Sequence, residues 1–189
     1  MDSFFDDIYA TFMFKKIAFI LLVSTLFIGC APDIKETAIK ETAQSKIFSA
    51  IDDFIIESDS GLYIDTGRNA LAIDAANPAF RTKMIPAYLT IEEVSSAQSY
   101  TAYLTVMSEI DGESQYQLSV NGDVIGAGFA PASEDDFSET RLNMGTLSLK
   151  TGDRIEVASN AVTNGKIPEN GGTAYSRGRW TQLRLEPIK

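Results

Sequence analysis

Alternating apolar and polar residues mark the stretch 99–109. One parity carries Thr101, Tyr103, Thr105 and Glu109, and the other carries the apolar residues Tyr100, Ala102, Leu104 and Val106. This period of two is typical of a β-strand with one buried face. The alternation returns in residues 115–120 and, with Leu183 and Leu185 inward, in a last strand predicted over 179–187.

Glycine-containing turn signals separate these stretches. Asp111-Gly112 and Asn121-Gly122 are two-residue hairpin signals, because both central positions of a type I′ turn need a positive φ. Together they predict a three-stranded β-meander over residues 99–128. Further strands are predicted over 142–149, with a bulge at Gly145, and over 154–159.

The frequency of these signals indicates the fold class. Many short strands, repeated Gly, Asn and Asp turns and few helix signals predict an all-β protein, an antiparallel β-sandwich of the jelly-roll type. A long loop, residues 160–178, precedes the last strand. Loops of this length inside a compact domain are usually functional or disordered.

A different pattern occupies the N-terminus. Two lysines precede twelve apolar or small residues, 17–28, and then come Gly29 and the only cysteine, Cys30. The run is shorter than the roughly 20 residues of a membrane-spanning helix. It resembles a bacterial lipoprotein signal peptide, which implies cleavage before Cys30 and a lipid on its sulfur. Ordinary secretion, with Cys30 as an unused thiol, is the alternative.

These patterns divide the chain into three parts. Residues 1–29 are predicted to be a signal peptide with a helical core, and Met13 is the expected true start, because residues 1–12 carry three aspartates and no basic residue. Residues 30–46 are predicted to be the lipidated Cys30 and a polar linker, and residues 47–189 the β-sandwich. This order predicts a lipid-anchored protein of the cell envelope, outside the cytoplasm, at the outer membrane or a periplasmic face.

Charge and composition exclude several kinds of binding and catalytic site. Removing residues 1–29 takes two lysines and three aspartates from 16 basic and 26 acidic residues, and leaves 14 against 23. Such an acidic surface argues against nonspecific binding of nucleic acid. The chain has no histidine, which excludes Ser-His-Asp triads, Cys-His dyads and histidine metal ligands. The remaining possibilities are catalysis by carboxylates, catalysis by a Ser-Lys arrangement, and binding without reaction.

Four segments carry a resemblance to known modules: residues 109–122, 147–157, 159–169 and 174–180. Together they resemble galactose-binding-like β-sandwiches of the carbohydrate-binding-module type, which accompany polysaccharide-degrading enzymes and stand alone in bacterial surface lipoproteins. The resemblance covers about residues 83–187 and implies a sandwich that binds a glycan. The chain is one module long, which favours binding over catalysis.

Planar and polar side chains concentrate in residues 160–180. Sugars stack their C–H faces on aromatic rings and accept or donate hydrogen bonds from planar polar groups. The predicted ligand-binding residues are Trp180, Tyr175, Arg177, Arg179, Asn164 and Lys166.

Several of these residues have a structural alternative. Strict alternation places Trp180 on the solvent face of its strand, whereas a bulge after Gly178 would turn it into the core. Arg177 and Arg179 either bind acidic sugar groups or pair with carboxylates of the protein. Tyr175 either contacts a ligand or fixes the loop.

No cofactor is predicted. Residues 134–136 or 57–59 could supply a few of the six to eight oxygens that a structural calcium ion needs, but neither stretch is a full motif. Asp111 and Glu113 flank a hairpin glycine. They could act as a catalytic carboxylate pair only if both faced one cleft, and the tip of a hairpin rarely offers one.

The sequence therefore predicts a lipid-anchored, non-catalytic protein that binds a polysaccharide or glycan at the cell envelope. The alternative is a structural or assembly lipoprotein that binds another envelope protein through the same sandwich. An enzyme that uses carboxylates alone is the third hypothesis.

Overall fold

A computed structural model describes residues 44–94 and 97–188. The predicted signal peptide, the lipid site at Cys30 and most of the linker lie outside the described residues. No helix in the described ranges is long and apolar enough to span a membrane. The strands are β1 (Lys46–Ser49), β2 (Leu62–Asp65), β3 (Ala70–Ile73), β4 (Ile85–Thr90), β5 (Gln98–Ser108), β6 (Gln115–Val120), β7 (Asp123–Phe129), β8 (Ser138–Leu149), β9 (Arg154–Ser159), β10 (Pro168–Glu169), β11 (Gly172–Thr173) and β12 (Trp180–Pro187), with a 3₁₀ turn at Pro78–Phe80 between β3 and β4.

The strands form two antiparallel sheets. The larger sheet has the order β2-β3-β12-β5-β8, and β1 also pairs with β12. The smaller sheet has the order β4-β9-β6-β7, and β10 and β11 form a separate short hairpin. The sheets pack face to face, so the predicted antiparallel β-sandwich is confirmed.

Alternation along the strands sends one face of each sheet into a shared core. The larger sheet contributes residues from β5 and β12, and the smaller sheet contributes residues from β4, β6 and β9. Removing these side chains from water is the main source of stability. Fully buried members include Ala102, Leu104, Val106, Leu183 and Leu185 on one side and Ala87, Leu118, Ile155 and Val157 on the other.

Two glycines let the edge strands β7 and β8 approach each other. A Cβ added to Gly126 would lie 2.2 Å from the carbonyl oxygen of Met144, and one added to Gly145 would lie 3.2 Å from that of Ile125. Gly145 has a φ of +94°, and the β5–β8 register shifts beside it. The predicted bulge at Gly145 is therefore confirmed.

The predicted three-stranded meander is correct only in its second turn. Asn121 and Gly122 have φ values of 53° and 89° and join β6 to β7 in a tight hairpin. In contrast, β5 belongs to the other sheet, so residues 109–114 cross between the sheets. Gly112 serves a close approach there, because an added Cβ would lie 2.7 Å from the carbonyl oxygen of Val162.

Candidate functional site

A cleft of about 470 Å³ opens beside the loop that precedes β12. One wall comes from the segment after β3, and the other comes from the β10–β11 hairpin and the residues that follow it. The polar side chains that line the cleft are Arg81, Glu169, Asn170, Thr173, Tyr175 and Arg177. We call it the Tyr175 cleft.

Tyr175 is half-buried and held by two contacts. The guanidinium of Arg81 lies over the ring, 4.3 Å from its centroid, at a distance where a cation is attracted to the ring face. Arg81 is itself held, because its Nε donates a hydrogen bond of 2.8 Å to the carbonyl of Ala75. Tyr175 also packs on a small apolar cluster formed by Ile73, Ala75, Ile85 and Ala161.

Arg177 is positioned by both its backbone and its side chain. Its N–H donates to Glu109 Oε1 at 2.9 Å, and its carbonyl accepts the N–H of Ile73 at 2.8 Å. Its Nη1 donates to the hydroxyl of Tyr63 at 3.0 Å. This hydrogen bond raises the pKa of Arg177. The side chain is therefore a fixed cation at the edge of the cleft.

The seven arginines of the chain divide into two groups. Arg81 and Arg177 form no ion pair within residues 44–94 and 97–188, and both line the Tyr175 cleft. In a chain with a net charge of −10, these two guanidinium groups retain unused hydrogen-bond donors for a ligand. The five that pair with a carboxylate are Arg68, Arg141, Arg154, Arg179 and Arg184.

A second cleft, of about 570 Å³, adjoins the first at Arg177. The ring of Phe80 forms part of its lining and lies against the backbone of Gly61, where an added Cβ would be 2.4 Å from the ring. Two carboxylates, Asp59 and Asp74, line the same cleft together with Tyr63. We call it the Phe80 cleft.

A buried ionic cluster lies next to Arg177 in the chain. Arg179 pairs through Nε with Asp65 at 2.8 Å and through Nη1 with Glu109. Burial raises the pKa of Glu109, although Arg179 opposes the shift. For Asp65, desolvation acts upward, but the hydrogen bond and charge of Arg179 bring its pKa below the ordinary value. The carbonyl of Arg179 also accepts the hydroxyl of Tyr116 at 2.9 Å.

The structure contradicts the predicted exposure of Trp180. Its side chain is 0% exposed and meets the ring of Phe54 edge-on, with centroids 4.8 Å apart. The β12–β5 register shifts between Trp180 and Gln182. This bulge adds one residue to the alternation and turns Trp180 to the same side as Leu183. The indole therefore has no open face for a sugar.

Of the other predicted ligand-binding residues, the structure brings Tyr175 and Arg177 together in one cleft. Arg179 is only 5% exposed and is bound by two carboxylates, so the prediction that it contacts a ligand is wrong and its structural alternative is correct. Arginine suits buried pairs because its planar fork serves two acceptors at once.

Asn164 and Lys166 order the loop outside the Tyr175 cleft. The Nδ2 of Asn164 donates to the carbonyl of Ile110 at 2.8 Å, and its Oδ1 accepts the N–H of Lys166 at 3.0 Å. The side chain of Asn164 is thus engaged inside the protein. A ligand contact by either residue stays a prediction.

Sequence reasoning missed Arg81, Tyr63 and Phe80. They come from segments far from the loop 160–178, and tertiary pairing brings them to it: β2 and β3 pair with each other and β3 with β12, and Arg81 forms an isolated bridge with Ala161. The one local signal was Asn77-Pro78, a dipeptide that marks a turn. In the structure Asn77 caps the 3₁₀ turn, because its Oδ1 accepts the N–H of Ala79 at 3.0 Å.

The described residues contain no group of three or more acidic side chains arranged to hold a metal ion. The stretches 57–59 and 134–136, considered as calcium donors, therefore form no such group. Asp136 has a structural role instead, since its Oδ1 accepts the N–H of Ile110 at 2.9 Å.

No protein-family model matches the sequence, and no curated protein matches it. Solved structures share the fold. A GH26-CBM35 β-(1,4)-mannanase from Podospora anserina superposes with a TM-score of 0.51 at 20% identity, covering 77% of this chain and 28% of that one. The CBM36-1 domain of a multidomain xylanase from the hindgut metagenome of Trinervitermes trinervoides gives 0.50 at 12% identity, covering 77% and 99%. The insecticidal crystal protein Cry2Aa gives 0.51 at 16% identity, covering 76% and 21%.

These likenesses confirm the fold that the sequence resemblance implied, an antiparallel β-sandwich. The chain spans 28% of the mannanase and 21% of Cry2Aa, but 99% of the xylanase domain. An insecticidal protein with the same sandwich shows that a fold does not fix a ligand.

Proposed function

We propose that this protein binds a saccharide without converting it, and that the Tyr175 cleft is its binding site. The observation that carries the proposal is the pairing pattern of the arginines: Arg81 and Arg177, without an ion pair in the described part of the chain, both line that cleft beside Tyr175. Guanidinium groups donate paired hydrogen bonds to vicinal hydroxyls or to a carboxylate. The tyrosine adds apolar surface and a hydroxyl.

The shape and chemistry of the cleft suit recognition. Its volume of about 470 Å³ falls in the range of small-molecule sites. Hydrolysis of a glycosidic bond ordinarily needs two carboxyl groups that flank the bond, and Glu169 is the one acidic side chain among the described residues of this lining. Two solved structures with this fold are named as parts of a mannanase and a xylanase, which supports a polysaccharide as the ligand.

Affinity gel electrophoresis against neutral and acidic polysaccharides tests the proposal. At least one polysaccharide should retard the protein, and Tyr175→Ala and Arg177→Ala should abolish the retardation while both variants keep the far-ultraviolet circular dichroism spectrum of folded wild type. Arg141→Ala is the matched control, because it removes the same charge from an exposed pair with Glu186. Absence of retardation throughout the panel, or an equal loss in the control, would overturn the proposal.

We also propose that a lipid on Cys30 anchors the sandwich outside the cytoplasm, at the outer membrane or a periplasmic face. The resemblance of residues 13–30 to a lipoprotein signal supports this location, and more than one acyl chain on the same residue would anchor a protein stably. Cys30→Ala should abolish palmitate incorporation and release the protein into the soluble fraction. Membrane retention of an unlabelled variant would contradict the anchor.

A second candidate function is the binding of another envelope protein. The edge strand β7 pairs with β6 on one side and carries two exposed apolar side chains, Val124 at 59% and Phe129 at 61%. Edge strands of this kind accept strands from partner proteins. A stoichiometric partner that co-purifies with wild type, is lost in Phe129→Ser and is retained in Tyr175→Ala would favour this function.

A further inference from the structure

The Tyr175 cleft and the Phe80 cleft are neighbours along one surface. Arg177 lines both, and the hydroxyl that it contacts belongs to Tyr63 of the Phe80 cleft. The single segment 74–81 also lines both clefts. Asp74, Asn77 and Phe80 line one, and Ala75, Ala76 and Arg81 line the other.

Each cleft contains an aromatic ring that packs on the same apolar cluster. Phe80 and Tyr175 are both half-buried, and both pack on the cluster of Ile73, Ala75, Ile85 and Ala161. A sugar ring in either cleft therefore meets an aromatic side chain held by the same small core.

The two clefts differ in charge. The Tyr175 cleft has Arg81 and Arg177 against one exposed carboxylate, Glu169. The Phe80 cleft has Asp59 and Asp74, with Arg177 at its border. Neither aspartate side chain accepts a hydrogen bond or forms an ion pair within residues 44–94 and 97–188, and Arg177 is the one cationic side chain among the described residues of this lining.

We propose that the two clefts are adjacent subsites for consecutive residues of one saccharide chain, with an acidic residue in the Tyr175 cleft and an uncharged residue in the Phe80 cleft. The proposal rests on the proposed function and specifies its ligand. A sugar carboxylate next to Arg81 and Arg177 gains charge-assisted hydrogen bonds. The same carboxylate next to Asp59 and Asp74 is repelled, whereas sugar hydroxyls donate to those aspartates.

The charges of the two clefts predict an order of affinity for three kinds of saccharide chain. A neutral chain fits the Phe80 cleft but leaves the two arginines without an anionic partner. A homopolyuronide satisfies the arginines but brings a carboxylate against Asp59 and Asp74. A chain in which acidic and uncharged residues alternate satisfies both clefts and should bind most tightly.

Calorimetric titration with three tetrasaccharides tests this ranking. A hyaluronan tetrasaccharide, which alternates glucuronate and N-acetylglucosamine, should bind about tenfold more tightly than tetragalacturonate or mannotetraose. Free glucuronate should bind about tenfold more weakly than the hyaluronan tetrasaccharide, since it fills one subsite. High salt should reduce the difference in affinity between the hyaluronan tetrasaccharide and tetragalacturonate, because it screens the repulsion between sugar carboxylates and the two aspartates.

Charge removal in the Phe80 cleft provides the internal control. The double substitution Asp59→Asn and Asp74→Asn keeps side-chain size, and asparagine also accepts the positive φ of 60° at position 59. It should raise the affinity for tetragalacturonate about tenfold and change that for the hyaluronan tetrasaccharide less than about twofold.

The outcomes separate the two proposals. If no saccharide binds and the gels retain nothing, the proposed function itself fails. If saccharides bind through Tyr175 and Arg177 but the double variant leaves every affinity unchanged, or free glucuronate binds as tightly as the tetrasaccharide, the paired subsites are refuted while the single binding site stands.

Discussion

Glu109 accepts the backbone N–H of Arg177 at 2.9 Å, while the other oxygen of the same carboxylate pairs with Arg179. One buried group thus joins the ionic cluster of the core to the arginine between the two clefts. The hydroxyl of Ser176 lies 3.4 Å from the same oxygen that Arg177 contacts. The position of Arg177 is therefore set from inside the sandwich, and binding and stability are coupled at Glu109.

Removing the carboxylate of Glu109 should lower the free energy of unfolding substantially. Glu109→Ala leaves the buried Arg179 with Asp65 alone, and breaking a buried pair costs about 3–5 kcal/mol of the free energy of unfolding. Glu109→Gln retains an oxygen that can accept the N–H of Arg177 and should lose less. Urea denaturation measures both, and an alanine variant within about 0.5 kcal/mol of wild type would show that the cluster is unimportant.

The stability should depend on pH in two opposite ways. Folding raises the pKa of Glu109, so its contribution to the free energy of unfolding is fully present below the ordinary value of 4.5 and is lost as the pH rises through the folded pKa. Folding lowers the pKa of Asp65, so its contribution is present above the ordinary value of 3.8 and is lost as the pH falls through the folded pKa.

Urea titrations of wild type, Glu109→Gln and Asp65→Asn over a range of pH separate the two contributions. In Glu109→Gln, the free energy of unfolding should no longer decline as the pH rises above 4.5, but it should still fall in acid. In Asp65→Asn, the acid loss should disappear and the decline above 4.5 should remain. Parallel curves for all three proteins would mean that neither carboxylate changes its pKa on folding.

The single tryptophan should report the core and not the ligand. Trp180 is fully buried against Phe54, so iodide should hardly quench its emission, and a bound saccharide should leave it unchanged. Trp180→Ala should cost about 3–5 kcal/mol of the free energy of unfolding. A stable Trp180→Ala protein that has lost saccharide binding would restore the indole as a ligand contact.

The contact between the edge strands should be sensitive to one methyl group. Gly126→Ala would place a Cβ 2.2 Å from a backbone oxygen of β8, so the strands must move apart, and overpacking of this kind costs about 1–3 kcal/mol. Gly128→Ala on the same strand is the matched control, because its nearest neighbour is the flexible end of Leu142 at 3.4 Å. Equal thermal midpoints for the two variants would contradict the close approach.

Local sequence signals predicted much of the sandwich. Alternation identified the inward residues of β5 and β12, such as Leu104 and Leu183, and Asn121-Gly122 identified the β6–β7 hairpin. Alternation failed at Trp180 because one bulged residue reverses parity, and a bulge has no strong signature in the sequence. The prediction of a three-stranded meander was wrong because a turn signal such as Asp111-Gly112 does not indicate which sheet the next strand will join.

The candidate site was only half visible in the sequence. The composition of the loop 160–178 pointed to Tyr175 and Arg177, but it could not separate Arg177 from Arg179. That distinction depends on Asp65, the last residue of β2, and on Glu109, the residue directly after β5, both of which pair with Arg179. Tyr63 lies 114 residues from Arg177, so only tertiary pairing could place it in the site.

The most direct test of saccharide binding at Arg177 is an NMR titration of the ¹⁵N-labelled protein with a polysaccharide fragment that retards it in gels. We expect chemical-shift changes at Tyr175 and at the side-chain Nε–H groups of Arg81 and Arg177, and no change in the shift of the Trp180 indole N–H. Shifts confined to β7 around Phe129, or spread over the sheet faces with none at the two arginines, would contradict it.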